Sequence, residues 1–148
     1  IRISWLLMIA SLFVAGCESV TDRFSAVPPR VQVFNGDTFA VNAAALQAFK
    51  RLDFLVTRSK PMDIEAVSRI HTSVAFADSR QLAVKLHLNE AGPDGTELEM
   101  SVTEQVQGER MGDTSQLTMR EHGFFQLYFA TLQQVLEENA IGRSSEKN

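Results

Sequence analysis

The sequence is poor in cysteine, because Cys17 is the only one among its 148 residues. A single thiol forms no disulfide within the chain, so no disulfide constrains the fold. Basic residues are also few: 14 Lys and Arg stand against 18 Asp and Glu, which gives a net charge of −4. This balance argues against nucleic acid as a partner and against a basic lipid-binding face. Stability must then come from an apolar core, to which ten Phe can contribute.

Long apolar runs are also missing, with one exception close to the start of the chain. That stretch runs from Ile3 to Val14 and follows the basic Arg2. Its length of about 12 residues is too short to cross a bilayer, which takes roughly 20. A charged end, a short apolar segment and then small residues are typical of a secretory signal peptide. The sequence therefore predicts export, and because the chain begins with Ile1 rather than Met, we expect further residues before it.

Residues 14–17, Val-Ala-Gly-Cys, resemble the lipobox of bacterial lipoproteins. The resemblance implies that the thiol of Cys17 takes a diacylglycerol, that residues 1–16 are then removed, and that the acylated cysteine becomes the first residue. The small residues before the cysteine would let the peptidase approach the backbone. An ordinary cleaved signal peptide and a membrane-spanning anchor are the alternatives. In such proteins of enteric bacteria an Asp after the cysteine favours the inner membrane, so Glu18 leads us to expect the outer membrane.

In residues 17–148, the sequence predicts one folded domain with a polar segment on either side. Residues 17–30 predict a tether that holds the domain away from the membrane, since Pro28 and Pro29 favour an extended backbone. Residues 31–140 carry the periodic patterns of a folded domain, and residues 141–148 form a polar tail.

Two kinds of periodicity occur within the domain. Apolar residues at helical spacing predict helices at about 38–52 and 121–139. A turn at 35–38 can cap the first helix, and His122 stands where it can help to cap the second. Alternation of apolar and polar residues predicts strands, with a hairpin turn at 78–80 and a hairpin loop at 92–95. The predicted strands lie at 30–34, 54–57, 64–76, 82–88 and 98–102, with one more short strand at 117–119.

These elements predict a two-layer α+β fold. The strands show one apolar and one polar face, and two amphipathic helices need an apolar surface to cover. The simplest arrangement is an antiparallel sheet of about four to five strands with both helices on one face. The sequence predicts this domain after a signal peptide.

One segment resembles a known family. Residues 43–57 resemble a helix-to-strand segment, roughly Ala-x-x-x-Leu-Gly-Phe-x-Val, of small uncharacterised bacterial lipoproteins. The pattern falls on Ala48, Leu52, Asp53, Phe54 and Val56, and Asp53 stands where the family usually has Gly.

Two later segments extend the resemblance to about residues 31–138. Residues 95–102 resemble a late strand of the family's meander, and residues 112–113 resemble a Gly-Asp pair before its closing helix. The stretch 114–121 is an insertion relative to the family. The resemblance implies a fold and an envelope location but no activity. The order of elements is also similar, more distantly, to the helix-grip domains of outer-membrane barrel-assembly lipoproteins.

Motifs for catalysis or metal binding do not emerge from the sequence. His71, His87 and His122 show no metal-ligand spacing, and no serine stands in a Gly-x-Ser-x-Gly motif. Glu97 and Glu99 share one strand face, where acid–base chemistry would need burial and where a solvated outer face is the simpler interpretation. Residues 108–112 lack the Lys-Ser/Thr of a phosphate loop and predict a mobile hairpin or a partner-contact loop. We therefore expect no catalytic residues, no cofactor and no metal.

The most distinctive apolar feature is a cluster of aromatic residues in the second predicted helix. Phe124, Phe125, Tyr128 and Phe129 occupy more than one helical face. They pack entirely into the core, or they leave a slot or an exposed ring that contacts an apolar ligand or a partner. Because Phe124 cannot lie fully on the same stripe as the others, we expect it to be partly exposed.

These observations predict a membrane-anchored periplasmic lipoprotein with a non-enzymatic structural or protein-interaction role in the cell envelope. Its contacts would be the membrane, through the lipid, and another envelope protein, through the polar sheet face, a sheet edge or the loop at 105–120. The alternative is a binding module that holds a lipid or small apolar ligand between helix and sheet. A third hypothesis, an enzyme, has no motif to support it.

Overall fold

The computed structural model describes residues 27–73, 78–107 and 114–145. The predicted signal peptide, Cys17 and most of the predicted tether lie outside these residues, as does the loop at 108–112. No helix in the described ranges is both long and apolar enough to cross a membrane. The described elements, in chain order, are β1 (Arg30–Asn35), α1 (Thr38–Arg51), β2 (Leu55–Ser59), β3 (Asp63–Val67), β4 (His71–Ser73), β5 (Asp78–Glu90), β6 (Gly95–Gln107), β7 (Thr114–Met119) and α2 (Gly123–Ser145).

The strands form one antiparallel sheet in the order β1-β6-β5-β3-β2. The short strand β4 pairs with β5 next to β3, and β7 pairs with β6 next to β1. The predicted two-layer α+β fold is confirmed, with seven strands in the described part of the chain rather than four or five. The number rises because the predicted strand at 64–76 is two strands and because the short strand at 114–119 joins the sheet.

The core lies on one face of this sheet. Val84, Leu86 and Leu88 of β5 lie opposite Val102, Met100 and Leu98 of β6, and all six side chains are buried. Both helices cover this face with one stripe each, because alternation in a strand places every second side chain on the same side. The buried helix residues are Val41, Ala44, Ala45, Ala48 and Phe49 of α1, and Phe124, Phe125, Tyr128, Leu132 and Val135 of α2.

Helix α1 begins and ends at residues that satisfy its backbone. The side chain of Asp37 accepts a hydrogen bond from the N–H of Ala40 at 2.7 Å, so the predicted capping turn is confirmed. At the other end, the N–H of Phe54 donates to the carbonyl of Phe49 at 2.9 Å and that of Asp53 donates to Lys50 at 3.2 Å. These bonds close the last turn and direct the chain back toward the sheet.

Helix α2 is longer than predicted, since it continues through Ser145 rather than ending near Asn139. Its residues 141–145 are exposed, which fits the polar character predicted for the start of the tail. At its start, the N–H of Phe124 donates to Nδ1 of His122 at 3.1 Å, so the predicted capping role of His122 is confirmed. In the interior, the buried hydroxyl of Tyr128 donates to the carbonyl of Ala45 and joins the two helices.

Two local predictions are wrong. The segment 64–76 is not one strand, because residues 68–70 separate β3 from β4. There, the hydroxyl oxygen of Ser68 accepts a hydrogen bond from the N–H of Leu82 at 2.9 Å. A side chain thus takes the place of a backbone carbonyl in the hydrogen bonding between this segment and β5. The predicted turn at 78–80 belongs to β5, where Asp78 and Arg80 share a hydrogen bond at 3.1 Å.

The sheet extends beyond the helices at one end. Each central strand has 13 residues and spans about 43 Å, whereas the 14 residues of α1 span about 21 Å. Helix α2 is longer, but its extra turns project past the start of α1, where Asp37 and Arg143 line a common groove. The face that carries the core therefore continues uncovered toward Arg80 and Glu104.

Candidate functional site

A cleft of about 390 Å³ lies where the end of α1 and the start of α2 meet this uncovered part of the sheet. We call it the helix-end cleft. Its floor and walls come from elements that are distant in the sequence. It is lined by the apolar residues Leu52, Phe54, Leu82 and Phe124, by the charged residues Asp53, Arg69, Arg80 and Glu104, and by Ser68, His71, Gln81 and His122.

The apolar wall of the cleft is built by two stacked rings. Phe54 and Phe124 have centroids 4.7 Å apart and planes inclined by 26°. Behind them, Phe124 packs against Tyr128 at 5.8 Å, and Tyr128 packs against Phe49 at 4.6 Å. The wall is therefore the outer end of an aromatic cluster that continues into the core, so its position is held by core packing.

The rim of the cleft carries two ion-pair systems. Both carboxylate oxygens of Asp53 accept hydrogen bonds from Arg69, from Nε and from Nη2, the latter at 2.9 Å. This bidentate bond lowers the pKa of the Asp53 carboxyl group. The second system is centred on Arg80, which donates to Asp78 at 3.1 Å and lies 3.6 Å from Glu104. The Asp53–Arg69 pair is exposed and adds little stability, whereas Asp78 and Glu104 are partly buried beside the exposed Arg80. We regard both systems as determinants of ligand charge.

The backbone of Asp53 adopts a left-handed conformation with φ of 60°, directly after α1. This conformation is the one for which glycine is favoured. Among the residues other than glycine, Asp tolerates the left-handed conformation comparatively well. The aspartate occupies this position at some conformational cost, and its carboxylate holds Arg69 at the rim of the cleft.

The four aromatic residues of α2 do not form a common site. Phe124 lines the helix-end cleft but is only 7% exposed, so the prediction that it would be partly exposed is wrong: stacking on Phe54 covers it. Phe125 is buried beside the guanidinium of Arg30, at 5.9 Å. Tyr128 is fully buried, and Phe129 is half-buried with its ring 6.0 Å from that of Phe34.

Sequence reasoning missed the charged residues of the cleft. The Asp53–Arg69 pair joins the end of α1 to the loop between β3 and β4, and no sequence spacing indicates such a contact. The Arg80–Glu104 pair depends on the register of β5 with β6, in which Arg80 lies beside Val106 and Glu104 beside Leu82. Only the contact between Asp78 and Arg80 could have been predicted from the sequence, because residues two apart in a strand lie on the same face.

The opposite face of the sheet is polar, as predicted. Glu97 and Glu99 lie on it, half-buried, and Glu99 accepts a hydrogen bond from Asn89 at 3.1 Å. His87 is exposed there, and its Nδ1 lies 2.7 Å from Oδ1 of Asp63. The hydrogen bond to Asp63 raises the pKa of His87 above its ordinary value. Within the described residues, no group of three or more His, Cys, Asp or Glu is placed to hold a metal ion.

The two outer strands of the sheet differ in how they are protected. Strand β2 has a register shift between Val56 and Arg58, and Arg58 places a charge on that edge. Strand β1 pairs regularly along one side, and Val31 and Val33 are 52% and 56% exposed. Bulges and charges on an edge strand discourage pairing with another chain. Strand β1 has no register shift, and its one charged residue, Arg30, lies at its first position.

No protein-family model and no curated protein matches this sequence. Among solved structures, the chain is similar to the adenylate sensor from AMP-activated protein kinase, which was crystallised with 5-aminoimidazole-4-carboxamide 1-β-D-ribofuranotide. The two are 17% identical over 71% of this chain and 93% of that chain, with a TM-score of 0.43. A similarity at this level carries no argument about function.

The backbone conformation of Asp53 leads to a prediction for stability. Asp53→Ala should have a free energy of unfolding about 1–2 kcal/mol lower than Asp53→Gly, because only glycine adopts the left-handed conformation without cost. Both variants lose the bond to Arg69, so their difference isolates the backbone. Urea denaturation measures it. The matched pair Lys50→Ala and Lys50→Gly, inside α1, should show the reverse order by about 1 kcal/mol. Equal stability of the two Asp53 variants would contradict the left-handed conformation of residue 53.

The bond between His87 and Asp63 leads to a prediction for pH. Because the pKa of His87 is raised in the folded protein, its contribution to stability is complete below about pH 6.5, the ordinary histidine value, and is lost as the pH rises through the folded pKa. Asp63→Asn should lower this pKa toward the ordinary value, as followed by NMR titration of the imidazole. Glu65→Gln, on the same strand and face, should leave it unchanged. An identical His87 titration in Asp63→Asn would refute the pairing.

Proposed function

We propose that this chain is a lipoprotein of the bacterial cell envelope, anchored through a lipid on Cys17, with a periplasm-facing domain in a non-enzymatic structural or protein-interaction role. The support for the anchor is the order of a charged residue, a short apolar segment and the lipobox-like residues 14–17. Glu18, rather than Asp, supports the outer membrane as the location. The described domain starts with β1 at Arg30, the last residue of the predicted tether.

The interaction role rests on one observation, the regular edge of β1, which has no register shift and carries its only charge at its first residue, Arg30. An edge strand offers backbone donors and acceptors to which a partner can add a strand, and exposed apolar side chains add affinity. Val31 and Val33 provide such side chains, next to Glu99 and Glu97 of β6. A partner strand with alternating apolar and basic side chains would complement this combination.

The anchor is tested by intact mass of the protein from an envelope fraction. The native chain should show cleavage before Cys17 and a mass increase for acyl chains, whereas Cys17→Ser should lose all lipid, because a hydroxyl does not replace the thiol nucleophile. Ser19→Ala, two residues further on, is the matched control and should keep the native mass pattern. A Cys17→Ser protein that still carries covalent lipid and is cut at the same place would end the proposal.

The interaction surface is tested by photo-crosslinking in the native envelope. A photoreactive residue at position 31 or 33 should yield the same adduct, and Val33→Lys should reduce the yield at position 31 several-fold, because a lysine on an edge strand opposes strand addition. The control position is Leu55, which is 68% exposed on the other outer strand and should yield no such adduct. Equal yields at positions 33 and 55 would argue against β1.

A second candidate function is supported by the helix-end cleft. The expected ligand site lay between helix and sheet, where the buried side chains of α1, α2 and the sheet pack together. The cleft lies instead at the ends of the helices, and its size is within the range of small-molecule sites, about 300–1,000 Å³. Its aromatic wall favours a lipid or another small ligand with an apolar part.

A further inference from the structure

At the rim of the helix-end cleft, Arg69 has hydrogen-bond donors to spare, whereas the carboxylate it binds has both oxygens engaged. Both carboxylate oxygens of Asp53 are engaged by Arg69, through Nε and Nη2. The guanidinium has five N–H groups and this pair uses two, so both hydrogens on Nη1 and one on Nη2 remain. Arg69 is exposed and makes no other side-chain hydrogen bond with the described residues. Its remaining donors form an edge that can hold a second carboxylate.

A second donor comes from the start of α2. Nδ1 of His122 accepts the N–H of Phe124 at 3.1 Å. A neutral imidazole that accepts at Nδ1 carries its proton on Nε2, so His122 adds an N–H to the lining of the cleft. The same helix end contributes the positive pole of the α2 dipole.

The acidic groups of the cleft are already paired with arginine. Asp53 is bonded to Arg69, and Glu104 lies 3.6 Å from Arg80. A cationic ligand would have to compete with these guanidinium groups for the carboxylates. An anionic ligand would use donors that have no partner among the described residues. The charge arrangement therefore favours an anionic head group.

The apolar wall determines the other half of the ligand. Phe54 and Phe124 stack beside the rim, and Leu52 and Leu82 extend the apolar surface. A head group alone would leave this surface exposed to water. A ligand with an apolar body covers it and gains about 25 cal/mol for each Å² removed from water.

We infer that the helix-end cleft binds an amphipathic carboxylate, whose head group pairs with the free edge of Arg69 and whose apolar body lies against Phe54 and Phe124. This inference rests on the second candidate function and specifies its ligand. Two sources share this chemistry: a fatty acid, and the C-terminal carboxylate of a peptide that ends in an apolar residue. Binding is noncovalent and involves no chemical step.

Equilibrium dialysis with the full chain in phospholipid nanodiscs tests the inference, with empty nanodiscs as the measure of partition into lipid. The probes are octanoate and octanol for the fatty-acid source, and N-acetyl-phenylalanine and its amide for the peptide source. Each carboxylate should bind at least about tenfold more tightly than its neutral analogue, since a charge-assisted pair with Arg contributes more than a neutral hydrogen bond. The source whose carboxylate binds more tightly is the one that the cleft fits.

The variants Arg69→Gln and Arg58→Gln distinguish the loss of a contact in the cleft from the loss of one positive charge elsewhere on the protein. Arg58 is also exposed and pairs with a carboxylate, that of Glu65, but lies on β2 away from the cleft. Arg69→Gln should lose the preference for carboxylates, and Arg58→Gln should keep it. Equal binding of carboxylate and neutral analogue in the native chain, or a preference that survives Arg69→Gln, overturns the inference. If no probe binds above the empty nanodiscs, the second candidate function fails as well, while the anchor and the β1 surface are judged by their own experiments.

Discussion

The pairing of β5 with β6 is the interaction on which the other features of the domain depend. The two strands match over twelve residues in a continuous antiparallel register, so their alternating apolar residues all reach the same face. A shift by one residue would place the apolar side chains of the two strands on opposite faces, so Leu86 and Met100 could not both be buried. With one face apolar, both helices have to lie on the same side, and the opposite face has to be polar. The flanking strands β1 and β3 then extend the same two faces.

The side chains along the central strands change where the helices stop covering them. On the core face of β5, the series Leu88, Leu86 and Val84 passes through half-buried Leu82 to exposed Arg80. On β6, Val102 is followed on the same face by Glu104. A surface that α1 is too short to shield cannot stay apolar without inviting nonspecific association. The helix-end cleft is therefore the boundary at which a core becomes a surface, and this explains why aromatic rings and ion pairs meet there.

The periodic features of the sequence predicted most of this architecture, because burial on one face leaves a repeat of two in strands and of about 3.6 in helices. Both helices, the hairpin at 92–95 and the capping by Asp37 followed from such local rules. The break after β3 did not, since the hydroxyl of Ser68 acts on a strand that is distant in the sequence. The cleft escaped prediction for the same reason: Asp53 meets Arg69, and Phe54 meets Phe124, only after the sheet has brought them together. Aromatic spacing in α2 indicated a cluster but not which ring would face outward.

The position of β1 has a consequence for the order of folding. The partner of Arg30 is Met100, about 70 residues later in the chain, so the first strand cannot join the sheet until the central hairpin exists. Contacts of this length are slow to form because a long loop has to close first. During N-to-C emergence of the chain, the early segments can form helix α1 but not a stable sheet. The domain therefore acquires its native structure late, after β6 has emerged, and until then β1 stays an unpaired strand open to chaperones or to premature association.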